Sequence, residues 1–101
     1  MQNLNGTIRS VLNTNLTQQQ VAELFRPHGW LIGKWSWTGS EIHCAWAQLY
    51  LDGEGEILLH GPLADPLTHA EELFAPLRSA GVRYWGEFYG EEHVLLQEFS
   101  G

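Results

Sequence analysis

Glu41 and His43 are the residues whose types and spacing come closest to a general acid–base pair. They lie two positions apart in a segment that alternates in polarity, so on a strand they share a face. A carboxylate beside an imidazole changes the proton affinity of the ring. The predicted hairpin places Lys34 opposite His43, and a lysine there disfavours a charged imidazole. Glu87 is a further carboxylate that a small enzyme could use. The sequence favours a non-catalytic function, however, and we predict no catalytic residues.

A second set of ligating side chains flanks Gly61-Pro62. His60, Asp65 and His69 could bind a transition metal if the loop folded back. Their spacing matches no compact ligand pattern, and His69 also fits the exposed first turn of a helix. Cys44 is the one cysteine, which excludes a cysteine zinc cage, and we expect it to point into the core as an unreactive thiol. We predict no metal and no cofactor.

The charge of the chain bears on its partners. Its 101 residues include 12 Asp and Glu against 5 Lys and Arg, a formal net charge of −7. Such a charge repels phosphate backbones, so we expect neither nucleic-acid binding nor docking on an anionic membrane. No Lys or Arg lies between Trp35 and Leu77, where seven carboxylates fall. Two interpretations stay open: a solvated surface kept soluble by like charge, or an acidic face that steers a basic partner protein.

The length fits one α+β domain over residues 1–101. No apolar run is long enough for a membrane helix, and the amino end lacks the basic and apolar stretches of a signal peptide. We therefore expect a cytoplasmic protein.

Three helices are predicted. Leu4, Ile8 and Leu12 have helical spacing, together with Val11, within residues 3–14. A capping box of Thr17 and Gln20 starts a second helix, which ends before Pro27. The third starts either at Asp65, with Pro66 in its first turn, or at Thr68, with Glu71 completing a capping box. Pro76 is expected to kink it or split off its last turn, and Gly81 to terminate it.

Five strands are predicted. Trp30–Trp37 and Ser40–Leu51 pair across Thr38-Gly39, and Glu56–His60 follows a turn at residues 52–55 before Gly61-Pro62 breaks the sheet. Val82–Tyr89 and His93–Phe99 form a closing hairpin around Gly90-Glu91, with Arg83 opposite Glu98 and Trp85 opposite Leu96. The predicted fold is α+β: a largely antiparallel five-stranded sheet, built as a three-stranded meander, a helix and a hairpin, with two N-terminal helices and the helices packed on the sheet.

The first hairpin predicts a sheet that is apolar on both faces. One face carries Leu31, Trp35, Trp37, Ile42, Cys44, Trp46 and Tyr50, and the other carries Trp30, Ile32, Ala45, Ala47, Leu49 and Leu51. A sheet with one wet face alternates more cleanly. We therefore expect helices, a second copy of the chain or a ligand to cover each face.

These features favour a non-catalytic protein-interaction or regulatory module, inhibitor-like or immunity-like, that acts as a homodimer and has a basic protein as a possible partner. The alternative is a small-molecule-binding protein with an aromatic-lined pocket between helices and sheet, walled by Trp35, Trp46 and Tyr50 or by Trp30 and Trp85. The candidate interaction or ligand residues are Trp30, Ile32, Trp35, His43, Trp46, Tyr50, Trp85 and Glu87.

Overall fold

The computed structural model describes residues 4–34, 39–53 and 56–101. These residues form two α-helices and one antiparallel sheet of seven strands in the order β2-β3-β4-β5-β1-β6-β7. The elements are β1 Gly6–Asn13, α1 Gln18–Phe25, β2 Leu31–Lys34, β3 Ser40–Cys44, β4 Ala47–Asp52, β5 Glu56–Leu63, α2 Pro66–Ser79, β6 Arg83–Tyr89 and β7 Leu95–Ser100. The prediction of a five-stranded sheet with two N-terminal helices is therefore wrong.

The first error is the helix predicted over residues 3–14, which is strand β1. Ile8, Ser10 and Leu12 are buried while the residues between them are less so, which is the alternation of a strand. β1 lies inside the sheet and pairs with β5 on one side and β6 on the other. Both partners are distant in sequence, so the local sequence does not indicate these hydrogen bonds. They favour a strand over the helix that the spacing of the apolar residues predicts.

The second error is the single strand predicted over Ser40–Leu51. The chain turns at residues 45–46 and forms two strands, with Cys44 opposite Ala47 and Ile42 opposite Leu49. In one continuous strand Ile42 and Leu49 would point to opposite faces, because they are an odd number of positions apart. The turn brings them to the same face. Residues of both predicted faces thereby share the buried face, whereas Leu31 and Tyr50 lie on the other side of the sheet.

The predicted registers of both hairpins are also wrong. In β2–β3, Leu31 and not Lys34 lies opposite His43. Part of this connection, Trp35 to Thr38, is outside the described residues. In β6–β7, a 3-10 turn at Glu91–His93 replaces the two-residue turn, so that Trp85 lies opposite Ser100 and not opposite Leu96. In β6–β7 the longer connection shifts the pairing.

Gly61-Pro62 does not break the sheet, because β5 runs through both residues to Leu63. Gly61 has φ 140°, and a Cβ there would lie 2.6 Å from the Gln48 carbonyl oxygen. Glycine is therefore the residue that lets β5 continue beside β4.

Both helix starts follow the sequence. The Thr17 hydroxyl accepts from the Gln20 backbone N–H at 3.1 Å, and the Gln20 side chain accepts from the Thr17 N–H at 2.9 Å. The predicted capping box is confirmed. α2 starts after Asp65, the first of the two predicted positions, and continues past Pro76.

The two helices contact each other and pack on one side of the sheet, which we call the covered face. α1 contacts β2, β3 and β4, and α2 contacts β1 and β6. The Phe74 ring of α2 stacks on Tyr84 of β6 with centroids 4.4 Å apart. Fully buried strand residues of this face are Ile8, Leu12, Ile42, Leu49, Leu51, Ile57, Leu59, Leu63 and Phe88. The other side of the sheet is the open face, on which none of the described helices packs.

Candidate functional site

The open face is organised by the register of β5, β1 and β6. Val11 of β1 lies between Leu58 of β5 and Trp85 of β6. We call these three side chains the apolar row. Neighbouring rows follow from the same pairing, because residues two positions apart on a strand share a face.

The apolar row is unusually accessible for its position inside a sheet. Leu58 is 44% exposed and Trp85 is 58% exposed, whereas Val11 between them is half-buried. Gly86 allows β6 to lie close to β1, because a Cβ at this position would lie 2.2 Å from the Arg9 carbonyl oxygen. The close approach of β6 to β1 thus places Trp85 beside Val11.

The next row is charged. It consists of Tyr50, His60, Arg9, Glu87 and Glu98, on β4, β5, β1, β6 and β7 in that order. His60 Nε2 lies 2.7 Å from Asp52 Oδ2, and the Tyr50 and His60 ring centroids are 5.8 Å apart. The carboxylate fixes the orientation of the imidazole, which is the arrangement of a histidine general base. Among the described residues, no carboxylate oxygen lies within 4.0 Å of the Arg9 guanidinium.

Glu87 is linked to Tyr89 on the same strand. The hydrogen bond to Glu87 raises the pKa of the Tyr89 phenol, and the carboxylates of Glu87 and Glu98 act in the same direction, whereas Arg9 lowers this pKa. The β6–β7 end of the charged row is therefore negative, and Arg9 supplies the positive charge on β1.

A shallow depression of 400 Å³ lies on this face beside β1 and β5. Its lining side chains include Thr7, Arg9, Leu58, His60 and Pro62. A wider cleft of 1090 Å³ lies away from it, between the start of α1 and the ends of β2 and β4, lined in part by Gln18, Lys34 and Gly53. The Gln18 amide donates to the Gly53 carbonyl there.

Four of the residues predicted from the sequence lie on the open face: His43, Tyr50, Trp85 and Glu87. His43 Nδ1 is 3.4 Å from Glu41 Oε1, and the Gln48 amide donates to the same oxygen at 3.2 Å. The predicted sharing of a face by Glu41 and His43 is thus found on β3, next to the edge strand β2.

The other predicted residues lie elsewhere. Trp30 and Trp46 are buried with ring centroids 5.1 Å apart, and Phe25 contacts Trp30 at 5.3 Å. Ile32 is half-buried on β2. Trp35 is outside the described residues. The interior of the protein, and not a shared cavity, surrounds Trp30 and Trp46.

His60, Asp65 and His69 do not come together. Within the described ranges, no group of three or more His, Cys, Asp or Glu side chains could hold a metal ion. His69 is mostly buried and stacks on Trp46 with centroids 4.2 Å apart and planes 4° apart, so it is not the exposed first-turn residue that we expected. Burial raises the pKa of the half-buried Cys44 thiol.

Sequence reasoning missed Arg9, Val11 and Leu58, which form the centre of the open face. The alternation of Thr7, Arg9 and Val11 with buried residues was the signal that could have found two of them, but it was outweighed by the helical spacing. Leu58 lies on the part of β5 that was predicted as a strand, but its neighbours on the face are known only once β1 and β6 are placed beside it.

None of the helices in the described part of the chain has the length and apolar character needed to cross a membrane. Comparisons with protein-family models, with curated proteins and with solved structures gave no match to this chain.

Proposed function

We propose that this chain is a protein-interaction module that works as a homodimer, and that two copies associate through the open face of the sheet. The observation that carries this proposal is the apolar row, in which Leu58 and Trp85 are 44% and 58% exposed in the middle of the sheet.

The chemistry of the row supports a protein partner. An antiparallel sheet with a solvated face normally presents polar side chains there. Tryptophan is enriched at protein interfaces and carries a large share of their binding energy, above all when polar groups surround it. Trp85 has this setting, since Glu87 is near it on the same face and Arg9 is on the neighbouring strand.

The open face carries charges of both signs, which supports a second copy of the chain as the protein partner. A two-fold interface uses the same patch on both subunits, so the patch must contain both partners of each contact. The open face does: Arg9 and Arg83 provide positive charge, and Glu56 and Glu87 provide negative charge.

Such a dimer leaves the helical side free for other contacts. Glu72 is exposed on α2, and Glu71 there is paired with Arg78 at 2.6 Å. With −7 on each chain, the dimer would attract a basic protein. We propose a regulatory or inhibitory role towards such a partner, in the cytoplasm, where a free cysteine such as Cys44 stays reduced.

The alternative function, small-molecule binding, has support from a different observation, the cleft of 1090 Å³ beside α1. The open face, with its exposed aromatic residue, supports protein association better.

The test is sedimentation velocity over a range of concentrations. We expect the unaltered protein to dimerise, and Trp85→Glu to weaken dimerisation at least about thirtyfold, as loss of an interface tryptophan does. Leu67→Glu is the matched control, because it adds the same charge at a residue that is 52% exposed on α2. This control should dimerise like the unaltered protein. A chain that stays monomeric up to about 1 mM would contradict the proposal.

A further inference from the structure

We infer that the two copies pack with their two-fold axis along β1, so that β5 of each copy lies over β6 of its partner. The inference rests on the proposed dimer and adds its geometry.

β1 is a natural axis for this rotation. β5 and β6 both pair with β1 in antiparallel fashion, so they run parallel to each other at equal distances on its two sides. A half-turn about a line along β1 generates a second copy whose open face meets the first. In this copy β5 and β6 have exchanged sides. Each residue of β5 then meets the partner's β6 residue of the same row.

The apolar row matches itself under this rotation. Leu58 meets the partner's Trp85, and Val11 meets the partner's Val11 on the axis. Both strongly exposed side chains of the row are therefore buried against apolar atoms, twice in each dimer. In the same way, Pro62 meets the partner's Tyr89.

The charges also match. Glu56 and Arg83 both lie opposite Asn13, on the two sides of β1, and the rotation sets Glu56 against the partner's Arg83. His60 meets the partner's Glu87. The Glu56–Arg83 contact sets opposite charges against each other at two places in each dimer. The one like pair is Arg9 against the partner's Arg9, and each of these has Glu87 beside it.

Two other axes fit the face less well. An axis across the strands through Val11 would also pair opposite charges, but it would leave Thr7, Pro62 and Tyr89 without a covering row. An axis across the strands through Arg9 would place His60 and Glu87 against their own copies. The axis along β1 covers all four rows and repeats a charge only once.

Charge reversal tests this geometry. Glu56 and Arg83 are both exposed, so their substitution does not disturb the core. We expect Arg83→Glu and Glu56→Arg each to weaken dimerisation at least about tenfold, since like charges then face each other. An equimolar mixture of the two variants should form heterodimers with an affinity near that of the unaltered homodimer, because each Glu then meets an Arg.

Arg78→Glu is the matched control, because it makes the same charge change on α2. It should leave dimerisation unchanged. Circular dichroism and urea unfolding of each variant separate loss of dimer from loss of fold.

The outcomes distinguish the axis from the proposed function. A dimer that Trp85→Glu disrupts but that the charge-reversed mixture does not restore would overturn the axis along β1 and keep association through the open face. A chain without a dimer would overturn both. Restored heterodimers would establish the contact between Glu56 and the partner's Arg83.

Discussion

Leu58 and Leu59 are adjacent on β5, yet one is 44% exposed on the open face and the other is fully buried on the covered face. The residue type is the same, so the environment alone separates their roles. Leu59 packs in the core beneath the helices, whereas Leu58 meets Val11 and Asp52 across the strands and then solvent. The covered face stabilises the fold of each chain, and the open face is available for a second chain.

The largest expected effect tests this pair directly. Leu59→Ala should lower the free energy of unfolding by about 2–5 kcal/mol, because it leaves a cavity in a packed interior. Leu58→Ala, measured in urea at a concentration where the chain is monomeric, should cost below about 1 kcal/mol. Equal losses in the two variants would contradict the assignment of the faces.

The contact between β1 and β6 provides the next test. Gly86→Ala places a Cβ 2.2 Å from the Arg9 carbonyl oxygen, a backbone atom that cannot move without displacing β1. We expect a loss of about 1–3 kcal/mol in urea unfolding, as for overpacking elsewhere. Gly33→Ala on β2 is the control, since its nearest atom would be 3.9 Å away. A Gly86→Ala variant as stable as the control would show that the strands are less closely packed.

Substitutions of Thr17 and Thr68 test which threonine caps a helix on the covered face. Thr17→Ala should cost about 1 kcal/mol, because the Thr17 hydroxyl accepts the Gln20 N–H. Thr68→Ala should cost less than half of that, since α2 starts at Pro66 and Thr68 does not cap it. Thermal unfolding of both variants measures the difference. A larger loss of stability for Thr68→Ala would contradict the start of α2 at Pro66.

The alkaline stability of the fold should depend on Cys44. Burial raises the pKa of its thiol, so the folded chain keeps this proton where the unfolded chain has lost it. Stability from this group is full below the ordinary thiol pKa of about 8.5 and declines as the pH rises above that value. Urea unfolding at several alkaline pH values should show a shallower decline for Cys44→Ser. Parallel declines in the two proteins would contradict it.

The smallest expected effect is a change in the pKa of Tyr89, which lies on the open face. Its pKa is raised first by the hydrogen bond to Glu87, and burial and the nearby carboxylates raise it further. Glu87→Gln should therefore move this pKa down towards the ordinary tyrosine value in an ultraviolet titration of the monomer. Glu91→Gln, in the exposed turn before β7, is the control and should leave the titration unchanged.

Local signals in the sequence were sufficient for the elements that depend on neighbours. The Thr17–Gln20 capping box and the start of α2 at Asp65 involve residues a few positions apart, and both are found. The shared face of Glu41 and His43 follows from strand geometry in the same way. The α+β class and the antiparallel sheet also follow from such patterns.

Non-local pairing explains what the sequence did not predict. β1 is a strand because β5 and β6 flank it, and the turn at residues 45–46 has none of the Gly, Pro, Asn or Asp residues that mark turns. The missed turn at residues 45–46 changed the face assigned to residues 47–51. Trp85 and Glu87 could therefore be chosen as candidates, whereas their neighbours Arg9 and Val11 could not.

The place of β1 between β5 and β6 has a consequence for synthesis of the chain. The Ser10 hydroxyl donates to the Trp85 carbonyl oxygen, across 75 positions of sequence. A chain emerging from the ribosome therefore exposes one whole edge of β1 until β6 has been made. Such long-range closure slows folding and leaves an unpaired edge that can join another nascent chain. Chains that stall before Arg83 should be the species that aggregate and that chaperones retain.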